Sequence, residues 1–434
     1  MLETFRNAWK IDDLRKKILF TLFIVLLYRL GNAVPVPYVN IDALLGFFKD
    51  QNNTALGLLN MMSGSSFSKA TIFALSIQPY INASIIIQLL TIAIPALERL
   101  QKEGGEEGQK KLASITRYST VVIGLLQGFA YYMLLRNNAV NGESLLTSSG
   151  LWEAIVIILT FTAGSALIMW LGEQISEFGI GNGISIILFA SIVSRFPSGL
   201  QSLFVNVSSG GLSIPGLILL LLGALAMIVL IIYVTNAERR IPVQYSKRVV
   251  GRKMYGGQST HLPMKVNMSG VLPIIFAQSI ATLIPTIAAF FPKPTDGFWA
   301  GFLNVTGVTS PLYAICYFLL IIFFAYFYST IQFNPVEIAN NLKKNGGFIP
   351  GFRPGKPTSE YIQKSLNKIT LFGAIYLGIV AVTPVIIAAC SEVAANSGIA
   401  LGGTSIIIVI GVALETVRAL ESQMIMRNYK GFLD

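Results

Sequence analysis

The sequence predicts an all-α integral membrane protein, with ten transmembrane helices arranged as two five-helix halves of opposite orientation. Three observations predict it. The 434 residues are 53% hydrophobic and only 12% charged, with a mean hydropathy of +0.65, whereas soluble domains are about 25% charged. The apolar residues gather into runs that approach the roughly 20 residues a helix needs to cross a bilayer. Short motifs also recur five runs apart.

Taken in order, the runs are Ile18 to Val34, Leu75 to Leu97, Tyr118 to Leu135, Leu151 to Leu171 and the shorter Ile184 to Phe196. The second five are Ile214 to Val234, Val271 to Phe291, Leu312 to Ile331, Ile369 to Ala389 and Thr404 to Leu420, the last carrying Glu415 and Arg418. The mixed-charge start "MLETFRNAWKIDDLRKK" leads into a first run too long for a cleaved signal. Ten is even, so both termini share a side. Of the 32 Lys and Arg, 25 fall in segments on the terminal side and four in the opposite loops. Basic loops stay cytoplasmic, so the expectation is a multi-pass protein of the cytoplasmic membrane with both termini in the cytoplasm. Cys316 and Cys390 lie in apolar surroundings and indicate neither a disulfide framework nor a metal site.

The halves are expected at 1–203 and 204–434. "GISIIL" (Gly183 to Leu188) opens the fifth run and "GTSIII" (Gly403 to Ile408) the tenth, while "PYINAS" (Pro79 to Ser84) and "PIIFAQ" (Pro273 to Gln278) lie early in the second and seventh. An offset of five spans turns the second half upside down, the inverted repeat of many transport proteins.

Two terminal-side loops are long and basic. Loop 235–269 holds seven basic residues, and loop 334–368 contains "NLKKNGGFIPGFRPGKPTSEYI". In the latter, Gly346-Gly347, Pro350-Gly351 and Pro354-Gly355 read as successive turns, expected to form a stiff hairpin with Phe352 and Arg353 at its tip. Such loops either set topology alone or dock something large and anionic.

The chain offers no catalytic constellation. Its only histidine, His261, sits in a basic loop, and there is no phosphate-cradling GxxxxGK[ST] motif. Paired mid-span acids, which an ion-coupled transporter needs, are missing too. The spans carry instead scattered amides and hydroxyls suited to helix–helix bonding: Gln78, Asn82, Gln88, Gln127, Gln278, Ser279 and Thr282. No enzyme and no cofactor is expected. One puzzle is "NMMSGSSFSKATIFALSIQPYIN" (Asn60 to Asn82), whose half-polar beginning is too wet to span and too close to the next run to be a separate domain.

The blocks "FSKATIFALSIQPYINASIIIQLL", "IMWLGEQISEFGIGNGISIILFA", "QSTHLPMKVNMSGVLPIIFA", "FNPVEIANNLKKNGGFIPGFRPG" and "GGTSIII" resemble the bacterial SecY family, the pore subunits of the general protein-secretion channel. The resemblance runs from about Leu14 to Gly431. It implies a protein-conducting channel for unfolded secretory polypeptides bearing signal sequences, with lateral release of transmembrane segments into the lipid bilayer. It places an apolar pore ring on Ile77, Ile81, Ile184, Leu188, Ile275 and Ile408, Leu188 standing where isoleucine is commoner. The i and i+4 spacing within this set puts side chains on one helix face. It makes the half-polar segment a re-entrant plug, about residues 57–74, with Asn60, Met61, Met62, Ser63, Gly64, Ser65, Ser66 and Phe67 at its heart. Its small residues are expected to keep it compact and weakly held, and Met62 stands where phenylalanine is common. Asn82, Gln127 and Ser279 match polar positions of a lateral gate, whose mutual hydrogen bonds would form a light latch. Arg252, Lys253, Phe352 and Arg353 match docking positions for the SecA motor or the ribosome. The family further implies the small membrane partners SecE and SecG. A secondary transporter with five-plus-five repeats would explain the spans but neither the plug nor the docking loops.

Overall fold

The computed structural model describes residues 2–49, 55–140, 143–148, 150–208, 213–245, 248–250, 253–255, 259–267, 270–283, 287, 310–390 and 402–430. The chain opens with α1 (Leu2–Trp9) and α2 (Asp12–Gly31). Asp12 and Asp13 lie in the first turn of α2 and Arg29 in its last, the signs a helix dipole favours at each end. Next come α3 (Ile41–Lys49), α4 (Ala55–Met62) and a run of turns leading to α5 (Gln78–Ala93).

Pro79 is tolerated in the first turn of α5 because its missing N–H would have no intrahelical acceptor there. Pro95 opens α6 (Pro95–Lys102), which is bent by 104° from α5. The straight run expected from Leu75 to Leu97 is therefore corrected at both ends. Residues 75–77 are turns, and Ile94, pushed off helical backbone by the proline that follows, sits at φ −108° and ψ 112°.

Then follow α7 (Gly105–Asn137), the small hairpin β1 (Ala139–Val140) and β2 (Glu143–Ser144), α8 (Leu151–Phe178), α9 (Gly183–Val193), α10 (Phe196–Ser208) and α11 (Ile214–Asn236). The first basic loop is β3 (Glu238–Tyr245), β4 (Arg248–Val250), β5 (Lys253–Tyr255) and β6 (Ser259–Lys265). The chain continues through α12 (Leu272–Ala281), α13 (Pro311–Gln332), α14 (Pro335–Lys344), β7 (Gly347–Phe348), α15 (Lys356–Cys390) and α16 (Gly402–Lys430).

Among the described residues, six helical stretches are long and apolar enough to cross a membrane: α7, α8, Gly183–Gln201, α11, Pro311–Lys344 and Lys356–Thr383. They become seven if the bent α5–α6 pair counts as one. The runs expected at Ile18 to Val34 and Thr404 to Leu420 fall on α2 and α16, of 20 and 29 residues, where charges accompany the apolar stretch. The run expected at Val271 to Phe291 starts as α12, and most of its second half lies outside the described residues.

Two compact units result. The first comprises Met1–Leu217, Ser279–Ala314 and Pro384–Asp434; the second comprises Ile218–Gln278 and Ile315–Thr383. In the first, Phe48, Phe67, Tyr131 and Phe161 form a continuous buried aromatic chain, with centroid separations of 5.5, 4.3 and 4.8 Å. Helix contacts there depend on small residues, as expected where lipid removes the hydrophobic drive between helices and close packing must replace it. Gly124 and Gly128 of α7 bring that helix against Ser165, Thr162 and the Ile158 carbonyl of α8. Gly183 packs so tightly on α8 that a Cβ would lie 1.9 Å from the Gly172 carbonyl oxygen.

In the second unit the order β6-β3-β7 makes an antiparallel sheet within what the sequence shows only as two basic loops. Alternation along β3 turns Ile241 and Val243 inward. They join Met264, Ile349, Ile362, Leu366 and Ile369 in a small core that seats the sheet on the first turns of α15. Pro263 has no N–H to give and sits on the edge strand, where none is required.

Gly183→Ala must displace backbone, an overpacking cost of about 1–3 kcal/mol. It is expected to lower the thermal unfolding midpoint of the purified protein in detergent. Gly199→Ala, inside α10 where an added Cβ meets nothing within 4 Å, is expected not to lower that midpoint, since alanine is the better helix former.

Candidate functional site

The half-polar segment is built from its own hydrogen bonds. Asn60 organises it: its carbonyl accepts from Ser65 N–H (2.9 Å) and from the Ser63 hydroxyl (3.1 Å), while its Oδ1 accepts from Ser68 N–H (3.0 Å). Phe67 N–H donates to Ser63 Oγ at 3.1 Å, and Thr71 N–H to the Ser66 carbonyl at 3.2 Å. Gly64, Ser65, Ala70 and Ser76 adopt positive φ of 66°, 71°, 42° and 52°. Three of these are not glycine, a strain of about 1–3 kcal/mol each that only a tightly determined environment sustains. The segment is compact through bonds of its own. Ser63 and Ser66 are only 1% exposed: the Ser63 hydroxyl bonds inward to Asn60 and Phe67, whereas Ser66 takes part through its backbone alone, its hydroxyl being buried without a partner.

This segment reaches three elements that carry expected ring residues. Gln78 Nε2 donates to Met62 Sδ at 3.8 Å, next to Ile77 on the first turn of α5. Ser405 Oγ donates to Met61 Sδ at 3.8 Å, three positions before Ile408 on α16. Gly64 lies over Ser191 of α9, where an added Cβ would be 2.9 Å from its carbonyl oxygen, three positions after Leu188.

The ring residues themselves are apolar and largely enclosed. Ile77, Ile81, Leu188, Ile275 and Ile408 are buried, and Ile184 is half-buried. Ile77 is the N-cap of α5 and not part of the helix, yet Ile81 N–H donates to its carbonyl at 3.1 Å, so the two remain one turn apart. Asn182 caps α9, its Oδ1 accepting from Ile184 N–H (3.1 Å) and Ser185 N–H (3.3 Å), which fixes where Ile184 and Leu188 begin their face. Ile275 lies on α12 in the second unit; the other five belong to the first.

The seat beneath Gly64 involves Tyr28 and Arg29, to which the sequence alone assigns no role. Tyr28 OH and Ser191 Oγ share a 2.7 Å hydrogen bond, Tyr28 stacks on Phe73 at 5.7 Å, and Arg29 Nη2 donates to the Ala190 carbonyl at 3.1 Å. Arg29 offered a usable signal: a guanidinium inside an apolar run requires an acceptor in the protein. Tyr131 gave none, since a tyrosine in an apolar helix looks like any core aromatic.

Asn82 and Gln127 are half-buried on α5 and α7, and Ser279 is buried on α12. Among the described residues no hydrogen bond joins these three, and Ser279 Oγ is buried without a partner. Arg252 lies outside the described residues, and Lys253 pairs with Val250 in the β4–β5 hairpin.

The stiff hairpin expected in loop 334–368 is corrected. The loop is helix α14 followed by β7, which pairs with the edge of β3 (Gln244 with Phe348, Tyr245 with Gly347) and leaves no hairpin of its own. The turns are real, with Gly346, Gly351 and Gly355 at φ of 69°, 88° and 103°. They present Phe352 and Arg353 to solvent, Phe352 resting on Tyr361 at 4.1 Å and Thr358 Oγ1 donating to the Arg353 carbonyl at 2.8 Å.

A helical membrane architecture with a non-helical segment packed among its helices is a fold with solved relatives. A solved protein-conducting channel shares this fold, with a TM-score of 0.65, 17% identity, and coverage of 94% of this chain and 92% of that one. A SecY structure whose plug domain stabilises the closed state of the translocation channel and maintains a membrane seal gives 0.64 and 17% over the same shares. An idle yeast Ssh1 complex bound to the yeast 80S ribosome gives 0.58 and 15%, covering 90% and 88%.

The SecY family model matches residues 71–417. The protein translocase subunit SecY of Streptomyces scabiei is 46% identical over 443 residues, and that of Mycobacterium tuberculosis H37Rv is 44% identical over 448, each covering all of both chains. The chain belongs to the SecY family. It is a multi-pass membrane protein, the channel subunit of a protein translocase, and not an enzyme.

Asn182→Ala removes the cap of α9 and is expected to cost about 1 kcal/mol, read as a lower unfolding midpoint in detergent. Asn182→Asp, which keeps the accepting oxygen, is expected to restore most of it.

Proposed function

We propose that the chain is a passive, gated pore whose closed state is sealed at its waist by Ile77, Ile81, Ile184, Leu188, Ile275 and Ile408 and capped by the Asn60–Phe67 segment acting as a plug. The observation that carries this reading is the placement of that segment, tied within three positions of Ile77, Leu188 and Ile408 on three different helices. Aliphatic side chains resist ions by leaving a constriction dry, yet they deform around a passing polypeptide. Non-helical backbone is tolerated at membrane depth where protein or a cavity surrounds it.

On this reading two inverted halves, 1–203 and 204–434, enclose the path, and both termini lie in the cytoplasm. Unfolded secretory chains cross through the pore, and apolar signal helices leave sideways past Asn82, Gln127 and Ser279. Arg252, Lys253, Phe352 and Arg353 receive the SecA motor or the ribosome, with SecE and SecG completing the complex in the cytoplasmic membrane. The exposed Arg353 on a turn pinned by Thr358 suits such docking. Energy comes from the motor, from translation or from the membrane potential, since the chain carries no nucleotide-binding motif.

Vesicles containing the assembled channel are expected to take up an unfolded precursor with SecA and ATP; uptake of a small solute on an ion gradient instead would favour a secondary transporter. Ile408→Thr is expected to wet the constriction and raise single-channel ion leak at rest, and unchanged recordings would remove Ile408 from the seal. Arg353→Glu is expected to slow motor-driven uptake at least about tenfold, the loss of one well-placed charge-assisted contact, without altering assembly on size-exclusion chromatography.

A further inference from the structure

Ile184 and Leu188 stand on α9, a helix of only 11 residues that is anchored at each end to a different neighbour. At its start, Gly183 packs on the Gly172 carbonyl of α8 and its N–H donates to Ser176 Oγ at 2.9 Å. At its far end the directional ties come from α2, more than 150 positions away in the chain. The buried side chains between the anchors, Ile186, Ile187, Leu188 and Ile192, are aliphatic and set no direction of their own.

The first tie from α2 is a relay. Ser191 Oγ gives its proton to the Ile187 carbonyl at 2.9 Å, so in the 2.7 Å bond between Tyr28 OH and Ser191 Oγ the tyrosine is the donor. The relay ends on the peptide group that joins Ile187 to Leu188. Tyr28 is fully buried, and its ring lies nearly parallel to that of Phe73, at 9° and 5.7 Å, which fixes the plane in which the hydroxyl can point. The second tie is Arg29 Nη2 to the Ala190 carbonyl at 3.1 Å. Ala190 is in the last turn of α9, the negative end of that helix's dipole. A guanidinium inside an apolar run needs an acceptor in the protein, so Arg29 loses its partner if this end of α9 moves away.

We propose that Tyr28 and Arg29 are positioning residues of the waist, which hold the far end of α9 against α2 and so keep Leu188 and Ile184 in the seal. The consequence for the seal rests on the closed-pore reading above. Without the two ties α9 is still pinned at Gly183 and swings there as a lever. At 1.5 Å per residue, Leu188 lies roughly 7 Å and Val193 about 15 Å from that pin. The waist then loosens from one side with no change in any side chain that lines it.

The test uses the assembled channel with Cys316 and Cys390 replaced by alanine. Spin labels on Leu22→Cys and Val193→Cys, both exposed, report by electron paramagnetic resonance the separation of α2 from the far end of α9. Tyr28→Phe combined with Arg29→Met keeps the bulk of both side chains and removes both donors. It is expected to shift that separation by at least about 1.5 Å, one residue's rise, with the yield of assembled channel unchanged. Resting single-channel ion leak is expected to increase at least about tenfold, the population change that losing these bonds permits. Should the combined variant not assemble, Tyr28→Phe alone carries the test, with a leak about fivefold above the parent.

Two further variants separate positioning from general loss of stability. Arg29→Lys, which keeps the charge and a donor for this single bond, is expected to hold both readouts close to the parent. Tyr28→Phe together with Ser191→Ala is expected to be no leakier than the worse of the two alone, because both break the same relay. An unchanged separation overturns the proposal, and so does a shifted separation with unchanged leak in a channel where Ile408→Thr does leak. If Ile408→Thr leaves the leak unchanged, the seal reading fails by itself, and the measured separation alone decides whether Tyr28 and Arg29 position α9.

Discussion

Backbone that is buried but not helical must find hydrogen-bond partners inside the protein, and residues 63–77 carry that constraint for the whole first unit. A helix satisfies its own peptide groups; these turns cannot. Their carbonyls and amides are taken up one by one by Asn60, Ser63, Tyr131 and the extended residues after α2. Each partner is thereby held in place, so a segment of turns fixes α2, α4, α5 and α7 relative to one another within that unit. The positive φ angles at Ser65, Ala70 and Ser76 show how far the chain is bent to meet the demand.

The second theme is the economy of side-chain volume at helix contacts. Gly183 against Gly172 and Gly164 against the Ile72 carbonyl leave no room for a methyl group. Away from these lines the helices are coated in large aliphatics: Leu219, Leu222, Leu225 and Val229 of α11 are all exposed, as suits a surface solvated by lipid. Small residues mark where protein meets protein, and large ones where it meets hydrocarbon.

Much of this was legible in the sequence because a bilayer imposes one length and one polarity on its crossings. The apolar runs located α7, α8, α11, α13 and α15, and the paired glycines located the turns near Arg353. What was hidden depended on neighbours distant in the chain. The return of β7 to the edge of β3 is a pairing between residues a hundred positions apart, invisible to local pattern. The bend after α5 was written in Pro95, but within an apolar run that proline could as well have been absorbed as a kink. The short-range bonds that bury Ser63, to Asn60 and Phe67, needed no distant neighbour, but the left-handed turns that bring them together are not written in residue polarity.

The sheet that joins the two basic loops has a mechanical consequence. β3 follows α11 directly, β7 leads by a short turn into α15, and Gln244 and Phe348 are partners across the ladder. Whatever presses on the exposed turn carrying Arg353 therefore loads two membrane helices at once, through a crosspiece too short to buckle. A pusher at this face works on a yoke, and its thrust is shared before it reaches the lipid.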